Sequence, residues 1–201
     1  MRIGLNYPKL NQIEVQEYKT VKLDKKSVIP VEEENSMEGK LEKRTLRSGR
    51  IITGYIRKNK IPYGRIDYPN GNIYKGEMVE GRAEGKGKMI YKNGDVYDGM
   101  FVKDLREGQG ILKMKNENTY KGEFLNDEFD GKGKVYFASG DIFEGNYSRG
   151  SKNGYGEYHY ANGNYMKCNW YNNKPHGSGV TRIVGQGEKQ TNWVNGNAQI
   201  L

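Results

Sequence analysis

The sequence predicts an all-β protein, an elongated array of antiparallel hairpins, on three observations. The first is a strict period. The pair Gly-x-Gly recurs at Gly85/Gly87, Gly108/Gly110, Gly131/Gly133, Gly154/Gly156 and Gly177/Gly179, always 23 residues apart. A fixed period of this length marks a repeat architecture. The second is composition, with 16 Tyr, 5 Phe, 2 Trp and 28 Gly in 201 residues. Aromatic side chains suit a pleated surface, and glycine disfavours helix interiors. The third is a recurring Asn-Gly at Asn70-Gly71, Asn93-Gly94 and Asn162-Gly163, with Ser139-Gly140 in the same phase. Asn-Gly between apolar runs is a strong hairpin signal.

In chain order, residues 1–48 lie outside the repeats and are expected to form an N-terminal arm. "NQIEVQEYKTVKL" alternates as a strand does, with Ile13 and Val15 in phase, and "EEENSMEG" reads as an acidic joint. Residues 40–60 carry eight basic and one acidic side chain, nearly the whole net charge of +8. Residues 49–196 are expected to hold about six 23-residue units and a terminal strand, "KQTNWVNG", leaving 197–201 as a tail.

Each unit reads as a hairpin. In "NIYKGEMVEGRAEGKGKMIYKNG" a strand of seven residues precedes a glycine turn near Gly81. A second strand follows, and Asn-Gly closes it, predicted as a type I′ turn. Asn116-Glu117 has no glycine there, which predicts a different turn. Alternation places Tyr74, Gly76 and Met78 on one side, with Gly87, Met89 and Tyr91. Tyr97, Phe101, Tyr120, Phe124, Phe143, Tyr147, Trp170 and Trp193 continue the same lines, which extend back to Ile51 and Tyr55. One face is therefore an aromatic ladder with glycine gaps that admit the ring of the next copy. The other face is charged.

"YKGEMVEGRAEGKGKMIYKNG" at 74–94 and "YKGEFLNDEFDGKGKVYFASG" at 120–140 resemble the MORN repeat (membrane occupation and recognition nexus). The resemblance covers roughly residues 49 to 196, and the end copies decay. The first has Thr53 at the strand glycine and Pro62 in the Gly pair, and the fifth has Met166 for Tyr and Cys168 for Gly. The resemblance implies a single-layer, twisted, groove-shaped antiparallel sheet. Thirteen strands at about 4.8 Å would make a sheet of roughly 60 Å.

The same repeats argue against chemistry. "GKG" is one copy of a position held elsewhere by "GQG", "GYG" and "GSG", and no Gly-x-x-x-x-Gly-Lys-Ser/Thr occurs. His159 falls on the wet face, His176 precedes a repeat glycine, and neither has a Cys or second His beside it in sequence. The single Cys168 excludes an intramolecular disulfide framework and reads as a buried, inert thiol. Glu77 and Glu123 are expected to pair with lysines across strands. No catalytic residue, cofactor site or metal site is expected. No apolar run approaches bilayer length and no secretory h-region opens the chain, so a cytoplasmic location is expected.

The reading is a non-enzymatic scaffold that holds partner proteins in a larger assembly. The resemblance implies radial-spoke-like ciliary or cytoskeletal settings. The alternative is a peripheral binder of anionic, phosphoinositide-bearing membranes. Either surface would use the basic residues Lys40, Lys43, Arg44, Arg47, Arg50, Arg57, Lys58 and Lys60. Ile13, Val15 and Tyr18 of the arm are expected to dock on a partner protein. Nucleic acid is the weakest partner, because the aromatics are committed to one another and offer bases no platform.

Overall fold

The structure is a computed structural model that describes residues 40–55 and 61–200. The arm residues Ile13, Val15 and Tyr18, and the cations Arg57, Lys58 and Lys60, lie outside the described residues. Among the described residues, fifteen strands form one antiparallel sheet in which every strand pairs with its neighbours in sequence. They are β1 (Leu41–Thr45), β2 (Ile51–Tyr55), β3 (Tyr63–Asp67), β4 (Ile73–Val79), β5 (Arg82–Ile90), β6 (Val96–Val102), β7 (Leu105–Lys113) and β8 (Thr119–Leu125). They continue as β9 (Glu128–Tyr136), β10 (Ile142–Ser148), β11 (Ser151–His159), β12 (Tyr165–Tyr171), β13 (Lys174–Ile183), β14 (Gly187–Val194) and β15 (Asn197–Ile200). β1 lies in the segment expected as arm, and β15 occupies the expected tail. Fourteen spacings of ~4.8 Å give a contour of roughly 67 Å.

Two alternating turn types close the hairpins, and they are the reverse of the sequence expectation. The first-to-second strand turns have positive φ at both central residues: Glu80 (51°) and Gly81 (74°), Lys103 (49°) and Asp104 (74°), Asn126 (49°) and Asp127 (70°). That is the type I′ geometry. The Asn-Gly turns are three-residue loops instead. Gly71 N–H donates to Tyr68 O at 2.9 Å and Tyr68 N–H to Asn72 O at 3.0 Å, and only the glycine is left-handed. Asn70 serves through its side chain, whose Oδ1 accepts from Asn72 N–H at 3.0 Å. Glu117 adopts φ 68° and makes the same loop as its glycine counterparts. The expected change of turn type is therefore absent, and one non-glycine residue bears left-handed strain there.

The two glycines of each Gly-x-Gly pair have separate tasks. Gly85 sits at φ 72°, in a bulge where β5 has extra residues opposite Glu77. The Glu77 side chain serves the bulge, its Oε1 accepting Lys86 N–H at 3.2 Å. Glu123 does the same for Lys132 N–H at 3.0 Å. The second glycine, Gly87, pairs directly with Gly76, and the ring of Tyr74 lies over both. A Cβ on Gly87 would come within 2.2 Å of Tyr74 Oη. The space is thus filled by the ring of the same copy, not the next, as Tyr97 over Gly99 and Gly110 and Tyr120 over Gly122 and Gly133 repeat.

The first copy departs from the expected phase. Ile52 pairs with Ile66, and Gly54 with Gly64. Ile66 and Gly64 in turn pair with Tyr74 and Gly76. The core side of β2 is therefore Ile52 and Gly54, not Ile51, Thr53 and Tyr55. A slip of one residue reverses every side chain of a strand, so the strand glycine expected to be missing at Thr53 stands at 54.

Candidate functional site

The aromatic face is a continuous edge-to-face zipper. Ring centroids lie 5.0 Å apart for Tyr74–Phe101, 5.1 Å for Tyr97–Phe101, 4.9 Å for Tyr97–Phe124 and 5.1 Å for Tyr120–Phe124. Tyr120–Tyr147, Phe143–Tyr147 and Phe143–Trp170 extend it. Tyr74, Tyr97, Tyr120 and Phe143 are fully buried, and Phe101, Phe124, Tyr147, Trp170 and Trp193 nearly so. Tyr91 packs part-buried on this core. The T-shaped arrangement sets each ring edge against the face of the next. The hydroxyls of Tyr74, Tyr97 and Tyr120 donate to Glu77 O, Met100 O and Glu123 O at 2.6, 3.1 and 2.8 Å. Burial pushes all three phenols up from their ordinary value. The ladder is a core rather than an open stacking platform.

Three cations sit against this core. Arg50 lies 4.8 Å over the Tyr68 ring and donates to Gly81 O at 3.2 Å and Asp104 Oδ2 at 2.9 Å. Asp104 Oδ1 accepts the Tyr68 hydroxyl at 2.8 Å and Ala83 N–H at 2.9 Å. Burial and that carboxylate together push the Tyr68 phenol up. Arg106 lies 5.1 Å over Phe124 and pairs with Asp127 at 3.0 Å. Lys152 stands within 4.4 to 5.4 Å of the ring centres of Phe143, Trp170, Tyr158 and Phe137. Arg106 and Lys152 hold one repeat position, two periods apart. Their periodicity was visible in the sequence, and the bulge, which adds two residues, leaves them in phase with Gly110 and Gly156 on the aromatic side; a reading that begins each second strand at the glycine pair does not reach them.

The expected basic surface is divided by the fold. Lys40, Lys43 and Arg47 are exposed. Arg44 pairs with Glu42 at 2.7 Å. Arg50 is built into the core just described. The polar face carries short ion pairs, Lys88–Asp98 at 3.1 Å, Lys134–Glu144 at 2.7 Å and Lys167–Glu157 at 3.3 Å. His159 adds to the last through Glu157 at 3.2 Å. Among the described residues, no three His, Cys, Asp or Glu side chains converge as a metal site would require, and none forms a helix long and apolar enough to cross a membrane. Cys168 is buried, and burial pushes its thiol up to about 11.

A row of exposed apolar side chains follows the type I′ turns along one margin of the sheet. Val79, Val102, Leu125, Tyr171 and Val194 recur at the repeat period, from 41 % exposed at Val194 to 60 % at Tyr171. Ser148 interrupts the row. Leu105 and Met100 widen it near Val102.

Residues 74–96, 97–119, 120–142, 143–165 and 169–187 match the MORN repeat. No curated protein matches the chain. The solved SAS-4 (dCPAP) TCP domain in complex with a proline-rich motif of Ana2 (dSTIL), from Drosophila melanogaster, is 16% identical. The match covers 75% of this chain and 88% of that one, with a TM-score of 0.44. The wild-type TCP10 domain of Danio rerio CPAP is 15% identical over 75% of this chain and 71% of that one, with a TM-score of 0.45. The same domain in complex with a Danio rerio STIL peptide is 14% identical over 79% and 76%, with a TM-score of 0.41. Likeness at this level bears on neither fold nor function.

Proposed function

The chain belongs to the MORN repeat family, and from that premise we propose that it is a non-enzymatic scaffold that holds partner proteins along its length. The observation that carries this reading is the exposed apolar row Val79, Val102, Leu125, Tyr171 and Val194. Members in adjacent copies are two strand spacings apart and so stand about 10 Å from one another, whereas Leu125 and Tyr171, with Ser148 between them, stand about 19 Å apart. A core is already complete on the opposite face, so these side chains add nothing to folding by lying in water. A regular row of exposed apolar side chains, broken at Ser148, is the surface that best fits an interaction site. A single open sheet would present it as a ledge along one margin, suited to an extended or helical segment of a partner. A ciliary or cytoskeletal assembly is the setting that family resemblance suggests.

The test is affinity purification from native tissue with quantitative mass spectrometry, comparing the natural chain with Val102→Lys/Leu125→Lys. The scaffold reading expects the same Tm and loss of the stoichiometric co-purifying proteins. Unchanged recovery would remove the ledge from the account.

The membrane alternative keeps Lys40, Lys43 and Arg47 as its exposed cations among the described residues, whereas Arg50 and Arg44 have internal partners. Flotation with vesicles containing phosphoinositide separates it from the scaffold reading. Binding abolished by neutralising Lys40, Lys43 and Arg47, with partner recovery intact, would favour the membrane.

A further inference from the structure

We propose that the ammonium of Lys152 is the receptor for a side-chain or terminal carboxylate of a partner polypeptide, held in a collar of four aromatic rings. The proposal deepens the scaffold reading and rests on it. It begins with a comparison of equivalent positions. In the second strand of each hairpin, the residue after the type I′ turn and one further is Ala83, Arg106, Phe129, Lys152 and Pro175 in turn. The turn of the following copy reaches back to this position. Asp104 Oδ1 accepts Ala83 N–H at 2.9 Å, Asp127 Oδ1 accepts Arg106 N–H at 2.8 Å, and Asn173 Oδ1 accepts Lys152 N–H at 2.8 Å.

That turn residue does two things when it is Asp. It caps a backbone N–H, and it brings a negative charge to the aromatic margin. The charge of Asp104 is met by Arg50 and that of Asp127 by Arg106. At Lys152 the turn supplies Asn173, which caps the N–H and brings no charge. Among the described residues the contacts of the Lys152 ammonium are aromatic rings, and no charged group acts on it. Its surroundings are Phe143, Trp170, Tyr158 and Phe137. Burial alone moves its basicity, downward from the ordinary value. Cation–π contact offsets part of the lost hydration of an ammonium but gives its three N–H donors no acceptor. Arg106 has both rings and a carboxylate.

A second feature lies in the same hairpin, on the side of Tyr120 and Phe129. Tyr147 pairs directly with Lys152 across β10 and β11. Its hydroxyl is buried without a hydrogen-bond partner, whereas buried hydroxyls in native proteins are ordinarily satisfied. Phe101 and Phe124 fill the equivalent positions, so packing does not require the hydroxyl. The copy with the unpaired cation is thus also the copy with the unpaired hydroxyl.

The chemistry of the collar selects the ligand. One ammonium matches one monovalent anion. A phosphate dianion needs several donors and would leave charge uncompensated against apolar rings. A Glu or Asp flanked by apolar residues, or a chain terminus, would place its carboxylate on Nζ and its flanks on the rings. The carboxylate would take the place that Asp127 holds beside Arg106.

The experiment uses the full chain with isotope-labelled lysine. The Lys152 ammonium signal is assigned by its loss in Lys152→Gln. The probes are acetyl-Leu-Glu-Leu-amide, its Gln counterpart and inorganic phosphate, at matched ionic strength. The expected result is a saturable shift of the Lys152 signal with the Glu peptide. The Gln peptide should bind roughly tenfold or more weaker, the size of one charge-assisted hydrogen bond. That preference should vanish in Lys152→Gln, persist in Lys152→Arg and be accompanied by an unchanged Tm. Equal affinity for the two peptides, a preference that survives Lys152→Gln, or saturation of the signal by phosphate would overturn the proposal. So would a Lys152 signal that no probe moves, since a carboxylate of the chain itself would then already hold the site. If native partners still co-purify with Lys152→Gln while the titration is null, the carboxylate site falls and the scaffold reading stands.

Discussion

Tyr97 and Phe124 belong to successive copies and meet edge to face, with ring centroids 4.9 Å apart and planes at 76°. Phe124 then meets Tyr120 of its own copy in the same way. Contacts within and between copies are therefore of one kind. Each copy covers its neighbour's ring, and no copy can bury its own ladder alone. Stability should pass along the sheet through these rings.

Phe124→Ala should be among the most damaging single changes, because it removes the ring that touches Tyr97, Tyr120 and Phe129 together. A loss of about 3–5 kcal/mol is expected from large-to-small truncation. Tyr97→Phe keeps the ring and forfeits only the hydroxyl bond to Met100 O, so about 1 kcal/mol should go. Urea denaturation followed by circular dichroism measures both. Similar midpoints for the two variants would contradict the ring-packing account.

Gly122→Val should destabilise far more than Lys121→Val. A Cβ at Gly122 would come within 2.5 Å of Gly133 Cα and Lys132 O and within 2.7 Å of Tyr120 Oη, whereas Lys121 is exposed. Overpacking costs about 1–3 kcal/mol, and backbone on the far side leaves little room to relax. Equal thermal midpoints would mean that the repeat glycines are not packing positions.

The period and the two faces were legible because every aromatic position repeats at 23 residues, and a two-residue alternation then fixes which ones share a side. Tyr97 and Phe124 do share it. The turn types were not legible from Asn70-Gly71 alone, since Asn suits both left-handed backbone and a side-chain cap, and the cap won. The first copy misled because Ile51 and Ile52 are equally apolar. Only the pairing of Gly54 with Gly64 shows which faces the core. Arg106 and Lys152 were hidden for a different reason. The bulge adds two residues and keeps the parity, so counting back by twos from Gly110 or Gly156 does reach them on the aromatic side; a reading that begins each second strand at the glycine pair stops short of them.

Asp141 should carry part of the acid sensitivity. Its Oδ1 accepts Ala161 N–H at 2.8 Å, the principal reason its carboxyl is held below the usual value; the Tyr158 hydroxyl donates to Oδ2 at 2.9 Å, and the Ser139 side chain lowers it further. A depressed folded value means the stability is present above the unfolded pKa of about 3.9 and is lost as pH falls through the folded value. Asn72, Asn118 and Asn164 perform the same backbone cap without charge. Asp141→Asn should therefore leave Tm near neutrality almost unchanged and flatten its decline in acid. A Tm against pH curve parallel to that of the natural chain would remove Asp141 from this role.

Cys168 should be inert until the sheet opens. Its thiol, pushed up to about 11 by burial, has almost no thiolate near neutrality. It stands where other copies have glycine, and Met166 stands where they have a ring, so the space the ring would use is left for Sγ. Modification by iodoacetamide at pH 8 should follow the rate of local unfolding and rise with urea. Rapid labelling of the folded chain would show an exposed thiol. Met166→Tyr should destabilise the chain while Cys168 is present and recover when combined with Cys168→Gly, because ring and thiol compete for one volume.

Arg50 and Lys43 should separate the structural cation from the surface one. Arg50 donates to Asp104 and Gly81 O and covers Tyr68, with about a quarter of its side chain exposed. Arg50→Gln would leave the Asp104 carboxylate with two neutral donors and no cation. About 1–3 kcal/mol should be lost, the cost of stripping a partner from a part-buried charged group. The loss should persist in high salt, since Debye screening acts weakly on a part-buried pair. Lys43 is exposed, and Lys43→Gln should leave Tm within experimental error. In vesicle flotation the order should reverse. Lys43→Gln, combined with Lys40→Gln and Arg47→Gln, should reduce any binding to anionic lipid, and Arg50→Gln should not beyond the extent of unfolding. A variant that loses lipid binding through Arg50 while keeping the natural Tm would mean that Arg50 can leave Asp104 for a phosphate, and that the ion pair is a latch on the first hairpins rather than a fixed part of their core.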